Sequence, residues 1–211
     1  MTIDGNQEIE VKFNVNNINA IKQRLRKLEA QIYLSRNFEI NFRYDTPDRR
    51  LSVESKVLRI RQDSKKWITF KGPGESVDGI RIRQEIEFSI NDINSAHLFL
   101  QALGYQIYQS YEKYRTVYIL NNSHIMLDEL PFGTFVEIEG TDSISIKNCA
   151  EILGLDWELN IEEGYLAIYK KLCKVLETNN GVLSFKEFVG TPDMLRRINI
   201  FPADQSNIQT T

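Results

Sequence analysis

Two glutamates and a lysine alternate with apolar residues near the start of the chain, in the segment Gln7-Glu-Ile-Glu-Val-Lys-Phe13. Successive side chains of a β-strand point to opposite faces, so Glu8, Glu10 and Lys12 would share one face of a strand. Two carboxylates at this spacing can share a hard divalent cation, and an ammonium group beside them can contact a phosphate. The segment therefore indicates chemistry on a phosphate group with a metal ion.

The same alternation of charged and apolar residues recurs along the chain. The charged members are Arg59, Arg61, Lys71, Arg81, Arg83, Glu85, Glu87, Lys113, Arg115, Asp128, Glu137 and Glu139. These charged residues could form the solvated face of an open sheet with cross-strand salt bridges. Repetition over five or six strands, without Ser, Thr, Asn or Gln on the charged face, favours a wet channel, because unpaired charge in a dry core is too costly.

The elements that must position these residues follow from hydrophobic periodicity and turn residues. Strands are predicted near 7–15, 37–45, 56–62, 66–72, 80–90, 113–120, 123–130 and 134–140, with a tight hairpin turn at Asn121-Asn122. Helices are predicted over 17–31, 92–103, 145–153 and 162–178. Eight antiparallel strands can close into a barrel. The predicted fold is α+β, an eight-stranded antiparallel closed β-barrel, or tunnel, with a charged interior and helices packed outside.

Composition limits the classes of partner. The chain has 211 residues, of which 42% are apolar and 26% charged, as in ordinary soluble domains. A net charge of −3 argues against a nucleic-acid partner. The start Met1-Thr-Ile-Asp4 lacks a basic, apolar leader and no apolar run approaches bilayer length, so we expect a cytoplasmic protein without a membrane partner. Cys149 and Cys173 are expected to be free, buried thiols, and a homodimer is left open.

The ordered set of motifs resembles the CYTH family, also called triphosphate tunnel metalloenzymes, which includes class IV adenylyl cyclases, thiamine triphosphatases and inorganic triphosphatases. Glu8-Ile-Glu-Val-Lys12 resembles the Glu-x-Glu-x-Lys signature of that family. The other matching segments, in family order, are Tyr44-Asp-Thr-Pro-Asp48, Leu58-Arg-Ile-Arg61, Phe70-Lys-Gly72, Arg83-Gln-Glu-Ile-Glu87, Lys113-Tyr-Arg115, Leu127-Asp128, Phe135-Val-Glu-Ile-Glu-Gly140 and Gly164-Tyr-Leu-Ala-Ile168. The resemblance covers residues 7 to about 178. It implies a tunnel domain over 1–180 that holds a triphosphate.

The resemblance also implies roles for single residues. Mg²⁺ or Mn²⁺ would be held by Glu8, Glu10, Glu137 and Glu139. Phosphate oxygens would be bound by Lys12, Arg59, Arg61, Lys71, Arg83, Lys113 and Arg115. Catalytic roles would fall to Lys12, Glu85, Glu87 and Asp128, of which Glu85 and Glu87 would support a second metal or orient water. One lysine near the C-terminus would also reach phosphate, and Lys170, Lys171 and Lys186 are all candidates.

Three functions are compatible with these residues. The first is a metal-dependent hydrolase of tripolyphosphate, thiamine triphosphate or a nucleoside triphosphate. The second is an adenylyl cyclase that makes cyclic AMP and pyrophosphate from ATP. The third is a non-catalytic binder of polyphosphate or nucleotide. No adenine-specific set stands out, since Tyr33, Tyr44, Tyr105, Tyr108 and Tyr111 suit a core or a rim equally well.

A few further residues receive simple structural predictions. Arg43 is expected to be a charge at the rim, and His97 and His124 are expected on a helix surface and in a hairpin. Residues 181–211 form a C-terminal extension that is predicted to be partly docked and then disordered from 205 onwards. Its docking residues would be Phe185, Phe188, Leu195, Ile198 and Phe201, around a turn at Thr191-Pro192-Asp193.

Overall fold

Eight antiparallel strands close into a barrel in this computed structural model, which describes residues 7–178, 181–188, 190–191 and 193–205. The strands are β1 (Gln7–Val15), β2 (Gln31–Asp45), β3 (Val57–Gln62), β4 (Lys66–Val77), β5 (Ile80–Ser89), β6 (Gln106–Leu120), β7 (Ser123–Leu130) and β8 (Gly133–Glu139). Their order around the barrel is β1-β5-β4-β3-β2-β6-β7-β8. The predicted fold class is confirmed. Strands β2, β4 and β6 are longer than the periodicity indicated.

Five α-helices lie outside the barrel within the described ranges. They are α1 (Ile18–Lys27), α2 (Arg50–Val53), α3 (Ile93–Ala102), α4 (Ser143–Ile152) and α5 (Tyr165–Val175), with short 3-10 helices at Trp157–Leu159, Leu195–Ile198 and Ala203–Gln205. Asn17, Asp92 and Asp142 cap α1, α3 and α4, each accepting a backbone N–H from the first turn. The single turn α2 was not predicted. No helix in the described part of the chain is long and apolar enough to cross a lipid bilayer.

The apolar faces of the strands point outward and form the core together with the helices. Val11 and Ile138 of the barrel pack with Ile21 of α1 and Ile146 of α4, and all four are at most 2% exposed. On another side, Ile60 packs with Leu100 of α3. The helices therefore cover the barrel from outside, and the polar faces of the strands are left to line its interior.

Two local predictions are confirmed. Asn121 and Asn122 join β6 to β7 with φ values of 49° and 62°, the left-handed backbone of a two-residue hairpin turn. Cys149 and Cys173 are free and buried in α4 and α5.

Hydrogen bonds from backbone N–H groups join the C-terminal extension to the barrel and to the segment that follows β1. The N–H of Leu183 donates to the Ser110 carbonyl at 3.2 Å, and the N–H of Glu112 donates to the Leu183 carbonyl at 2.9 Å. This bridge lies on β6 ahead of Tyr114, where the pairing of β6 with β7 begins. Further along, the Asp204 carboxylate accepts the N–H groups of Asn16 and Asn17 at 2.9 and 2.8 Å.

The five apolar residues predicted to dock differ in burial. Leu195 is buried against α5, and Phe188 and Ile198 pack on the same cluster, whereas Phe185 and Phe201 stay 38% and 40% exposed. Pro192 of the predicted turn and residues 206–211 of the predicted disordered end lie outside the described residues.

Candidate active site in the barrel interior

A cavity of about 800 Å³ lies in the interior of the barrel and is lined by most of the charged residues identified in the sequence. Eleven bases and six acids line it within the described residues, an excess of five positive charges. The acids are Glu8, Glu10, Glu85, Glu87, Glu137 and Glu139. The bases are Lys12, Arg43, Lys56, Arg59, Arg61, Lys71, Arg81, Arg83, Lys113, Arg115 and Lys170. Such a lining suits a polyanion, with acids left to neutralise part of the positive charge or to bind a cation.

Strand β1 contributes two carboxylates, those of Glu8 and Glu10, which form ion pairs with bases of neighbouring strands. Glu8 stands opposite Arg83 in the β1–β5 register, and its carboxylate pairs with Arg83 at 2.7 Å and with Lys71 of β4 at 2.6 Å. Arg83 also pairs with Glu10 at 3.1 Å, and Lys71 with Glu85 at 3.1 Å. Burial opposes ionisation of Glu8, but Lys71 and Arg83 outweigh it and hold its pKa below the usual range.

Glu139 lies near the carboxylates of Glu8 and Glu10 but forms no ion pair with a base of the described chain. It stands directly opposite Glu10 in the β1–β8 register, a like-charge pair that is unfavourable across strands. No base in the described part of the chain lies within ion-pair distance of its carboxylate. Burial and then the charges of Glu8, Glu10 and Glu85 raise the pKa of Glu139 from 4.5 to about 7.

Glu137 shares its face of β8 with Glu139 but has different surroundings. It stands opposite Lys12, whose Nζ lies 3.0 Å from its carboxylate, and it also pairs with Arg115. Burial would raise the pKa of Glu137, but Lys12 and Arg115 hold it well below its usual value. Glu137 therefore orients two bases, while Glu139 carries the uncompensated charge.

Asp128 is completely buried and is absent from the lining of the cavity. Its carboxylate accepts hydrogen bonds from Lys113 Nζ at 2.9 Å, Arg115 Nε at 2.6 Å and the Tyr165 hydroxyl at 2.8 Å. The ring of Tyr165 in turn lies 4.6 Å from Lys12 Nζ. Asp128 was expected to bind a base or metal-bound water, and it binds the bases Lys113 and Arg115. Because it does not line the cavity, it reaches the cavity only through the residues that it holds.

The carboxylate of Glu87 on β5 accepts hydrogen bonds from three side chains. Arg61 donates to it at 3.0 Å, Arg59 at 3.4 Å and the Thr69 hydroxyl at 2.7 Å. Burial raises the pKa of Glu87, but Arg61 and Arg59 lower it further than burial raises it. Arg59 Nε is buried without a hydrogen-bond partner, and Arg61 Nε lies 3.3 Å from the Asp63 carboxylate. Both arginines are therefore already fixed by protein contacts.

Several expectations about the interior need correction. The inner face is not uniformly charged, because Asn14, Asn41 and Thr69 are buried on it. Arg43 is not confined to the rim, because it lines the cavity from β2 directly opposite Arg59 of β3.

The sequence left the choice among three C-terminal lysines undecided and did not identify one interior acid. Among the three candidate C-terminal lysines, Lys170 lines the cavity, whereas Lys171 pairs with Glu163 and Lys186 is exposed. Glu39, 1% exposed and 3.6 Å from Lys113, was missed, although its alternation with Phe38 and Ile40 carried the signal.

The turn after β2 is organised by Asp45. Its buried carboxylate accepts the N–H groups of Leu51 at 2.9 Å and Ser52 at 3.0 Å, and also the Ser52 hydroxyl. Burial opposes ionisation, but these hydrogen bonds lower the pKa of Asp45. The Tyr44-Asp-Thr-Pro segment thus fixes α2 so that Ser52 and Ser55 reach the cavity.

The histidines make only structural contacts. His97 of α3 meets the Tyr44 hydroxyl, and His124 of β7 lies against the ring of Tyr33.

The acids offer only oxygen donors, which are the ligands that Mg²⁺ and Mn²⁺ prefer. As the side chains stand, no three Asp, Glu, His or Cys residues of the described chain converge closely enough to hold a metal ion. The reason is visible at Glu8, both of whose oxygens are taken by Lys71 and Arg83. The donor set fits a hard divalent cation, provided that an anion draws these two bases away. Glu139 already lacks a counter-charge.

Comparison with known proteins agrees with the fold and with the motifs. The CYTH domain family model matches residues 6–163. The adenylate cyclase CyaB of Aeromonas hydrophila is 29% identical over 140 residues, which cover 64% of this chain and 69% of that protein.

Solved structures give the same picture. A candidate adenylate cyclase from Vibrio parahaemolyticus has a TM-score of 0.69 and 26% identity, covering 79% of this chain and 99% of its own. A candidate adenylyl cyclase from Hippeastrum, described as having a dominant triphosphatase activity, shares the fold with a TM-score of 0.61 and 19% identity. That match covers 78% of this chain and 95% of the Hippeastrum chain.

Proposed function

The chain belongs to the CYTH domain family, and from that premise we propose that it is a divalent-metal-dependent triphosphatase that releases orthophosphate from a triphosphate-bearing small molecule. One observation carries the proposal. Among the described residues, the cavity of the closed barrel is lined by five more bases than acids, and these acids are concentrated where β1, β5 and β8 adjoin. A phosphate chain needs the bases, and a cation accompanying it needs the acids.

Glu8, Glu10 and Glu139 are the residues that would hold Mg²⁺ or Mn²⁺. When bound, the cation would neutralise charge on the phosphates and polarise the phosphoryl group. Glu137 was assigned to the metal by resemblance, but its pairing with Lys12 and Arg115 supports a role in orienting these bases.

The ion pairs of Glu8 link binding of the anion to binding of the cation. Lys71 and Arg83 occupy the Glu8 carboxylate in the absence of ligand. An entering triphosphate offers these bases stronger, multiply charged acceptors. Their transfer to phosphate oxygens frees the acids, so binding of the anion and of the cation would be mutually reinforcing.

The remaining roles follow from position. Lys12, Arg59, Arg61, Lys113 and Arg115 would bind phosphate oxygens and stabilise the charge that develops on the transferring group. Glu85 would accept the proton of the attacking water, because its pKa is raised. Burial raises this pKa, Lys71 lowers it, and the nearby charge of Glu8 raises it again. Glu87 would keep Arg59 and Arg61 in place.

Adenylyl cyclisation is the second candidate, because a relative at 29% identity carries the name adenylate cyclase. In that reaction the ribose 3′-hydroxyl attacks the α-phosphorus and pyrophosphate leaves, using the same bases and acids. The Hippeastrum protein supports keeping both reactions in view, since the same fold is there described with a dominant triphosphatase activity. A binder without catalysis is the third candidate, and six carboxylates in the channel argue against it.

The test is incubation of the purified protein with tripolyphosphate, thiamine triphosphate or ATP, in Mg²⁺ or in Mn²⁺, followed by assays of orthophosphate, pyrophosphate and cyclic AMP. Orthophosphate release that Glu10→Gln abolishes and the exposed Glu75→Gln leaves intact is the expected result. Cyclic AMP with pyrophosphate from ATP would favour the cyclase. Tight tripolyphosphate binding without any turnover would favour the binder.

A further inference from the structure

Arg43 is a base inside the tunnel that has no acidic partner. It lines the cavity from β2 and stands directly opposite Arg59 of β3. Among the described residues no carboxylate lies within ion-pair distance of its guanidinium, and its buried Nε has no hydrogen-bond partner. By contrast, Arg59 and Arg61 both pair with Glu87, and Arg61 also pairs with Asp63.

The arrangement around Arg43 is unfavourable in the absence of a ligand. Burial lowers the pKa of Arg43, Tyr108 and Tyr111 act in the opposite direction, and the like charges of Arg59 and Arg83 lower the pKa again. An unpaired charge removed from water reduces stability unless something neutralises it. A cationic side chain kept in this position is therefore typical of a binding function.

Two further cations collect at the adjacent opening of the cavity. Tyr108 lines the cavity there, with the Arg49 guanidinium 4.3 Å and Lys170 Nζ 5.6 Å from its ring centroid. Lys170 also lines the cavity and is exposed, and neither Lys170 nor Arg49 has a carboxylate within ion-pair distance in the described chain. Because Arg49 covers the ring of Tyr108, this opening is poorly suited to stacking a nucleobase.

We propose that Arg43, Tyr108 and Lys170 form an anion subsite at this opening, which takes the terminal phosphate of the substrate and not a nucleoside. The proposal rests on the proposed function in that the ligand is a phosphate chain. It adds an orientation: the free end of the chain lies at the opening formed by β2, β6 and α5, and any organic group lies away from it. The chemistry of recognition is a charge-assisted hydrogen bond from guanidinium to phosphate.

Metal-free binding separates this subsite from the proposed catalysis. Calorimetric titrations of tripolyphosphate and of ATP, in EDTA, would compare the parent protein with Arg43→Gln. We expect Arg43→Gln to weaken both ligands by about tenfold or more. Its melting temperature should be equal or higher, because an uncompensated charge is removed. If metal-dependent turnover were absent while these shifts appeared, the subsite would stand and the triphosphatase assignment would fall.

Lys170→Gln provides a second variant that does not endanger the fold, and its neighbour Lys171→Gln, paired with Glu163 outside the cavity, is the matched control. Lys170→Gln should weaken tripolyphosphate about threefold or more and Lys171→Gln should not. Unchanged tripolyphosphate binding in Arg43→Gln would overturn the proposal. So would a loss confined to ATP, equal effects of the two lysine variants, or a lower melting temperature that accompanies the loss of binding.

Discussion

Replacing Glu139 by glutamine is expected to stabilise the metal-free protein, and to do so mainly at neutral and alkaline pH. Glu139 faces Glu10 across the β1–β8 pair and has no base within ion-pair distance in the described chain. Burial and the nearby Glu8, Glu10 and Glu85 raise its pKa from 4.5 to about 7. The folded protein therefore holds a proton there that the unfolded chain releases.

The sign and the size of the effect follow from linkage. Between pH 4.5 and about 7 the folded state binds more protons than the unfolded state, so the free energy of unfolding falls as the pH rises. One unit of pKa difference corresponds to about 1.4 kcal/mol. After a discount for the partial exposure of the side chain, Glu139→Gln should raise the free energy of unfolding by roughly 2 kcal/mol at about pH 8 and by roughly 0.5 kcal/mol at about pH 5.

Urea unfolding in EDTA, followed by tryptophan fluorescence, measures this difference. Glu75→Gln, on the exposed surface of β4, is the control and should be neutral at both pH values. Adding Mg²⁺ at pH 8 should stabilise the parent protein more than Glu139→Gln, since a cation that binds the folded state shifts the equilibrium by mass action. Equal stabilisation by Glu139→Gln at both pH values would refute the like-charge cluster, and equal Mg²⁺ effects would remove Glu139 from the metal set.

Three other substitutions test different parts of the molecule. Lys12→Ala should lower the turnover rate by about 10² or more if Lys12 stabilises transition-state charge, and a change in KM alone would contradict that role. Asp128→Asn removes the carboxylate shared by Lys113 and Arg115 and should cost about 3–5 kcal/mol of unfolding free energy; a neutral urea midpoint would count against it. Asp204→Ala should cost about 1 kcal/mol by releasing the N–H groups before α1, and unchanged stability would show that this contact of the tail is dispensable.

Local pattern was enough to find the strands and the faces that carry chemistry. In β1 and β5 charged and apolar residues alternate, with exceptions at Asn14 and Gln84, and such alternation predicts both the strand and which side chains share a face. The helices followed from their own periodicity, and the hairpin from Asn121-Asn122. The short helix α2 was not predicted because its single turn depends on Asp45, which accepts the N–H group of Leu51, six residues further along the chain.

The sequence pattern could not predict which side chains pair with each charged residue. Glu137 and Glu139 are two acids on one face of β8, and resemblance gave them one role. Their positions opposite Lys12 and Glu10 make the first a positioning group and the second an uncompensated acid. Arg43 likewise became an interior base only when β2 was paired with β3 and Arg59.

The sequence by itself determined that a charged face repeats on many strands, and that this face suits a metal ion and a polyphosphate. The tertiary structure decided how the charge is distributed, because β1 lies between β5 and β8 and β2 lies between β3 and β6. Ion pairing falls off over a few ångströms, so the state of each carboxylate and each base depends on its neighbours across strands. Those neighbours are distant in sequence, and only closure of the barrel brings them together.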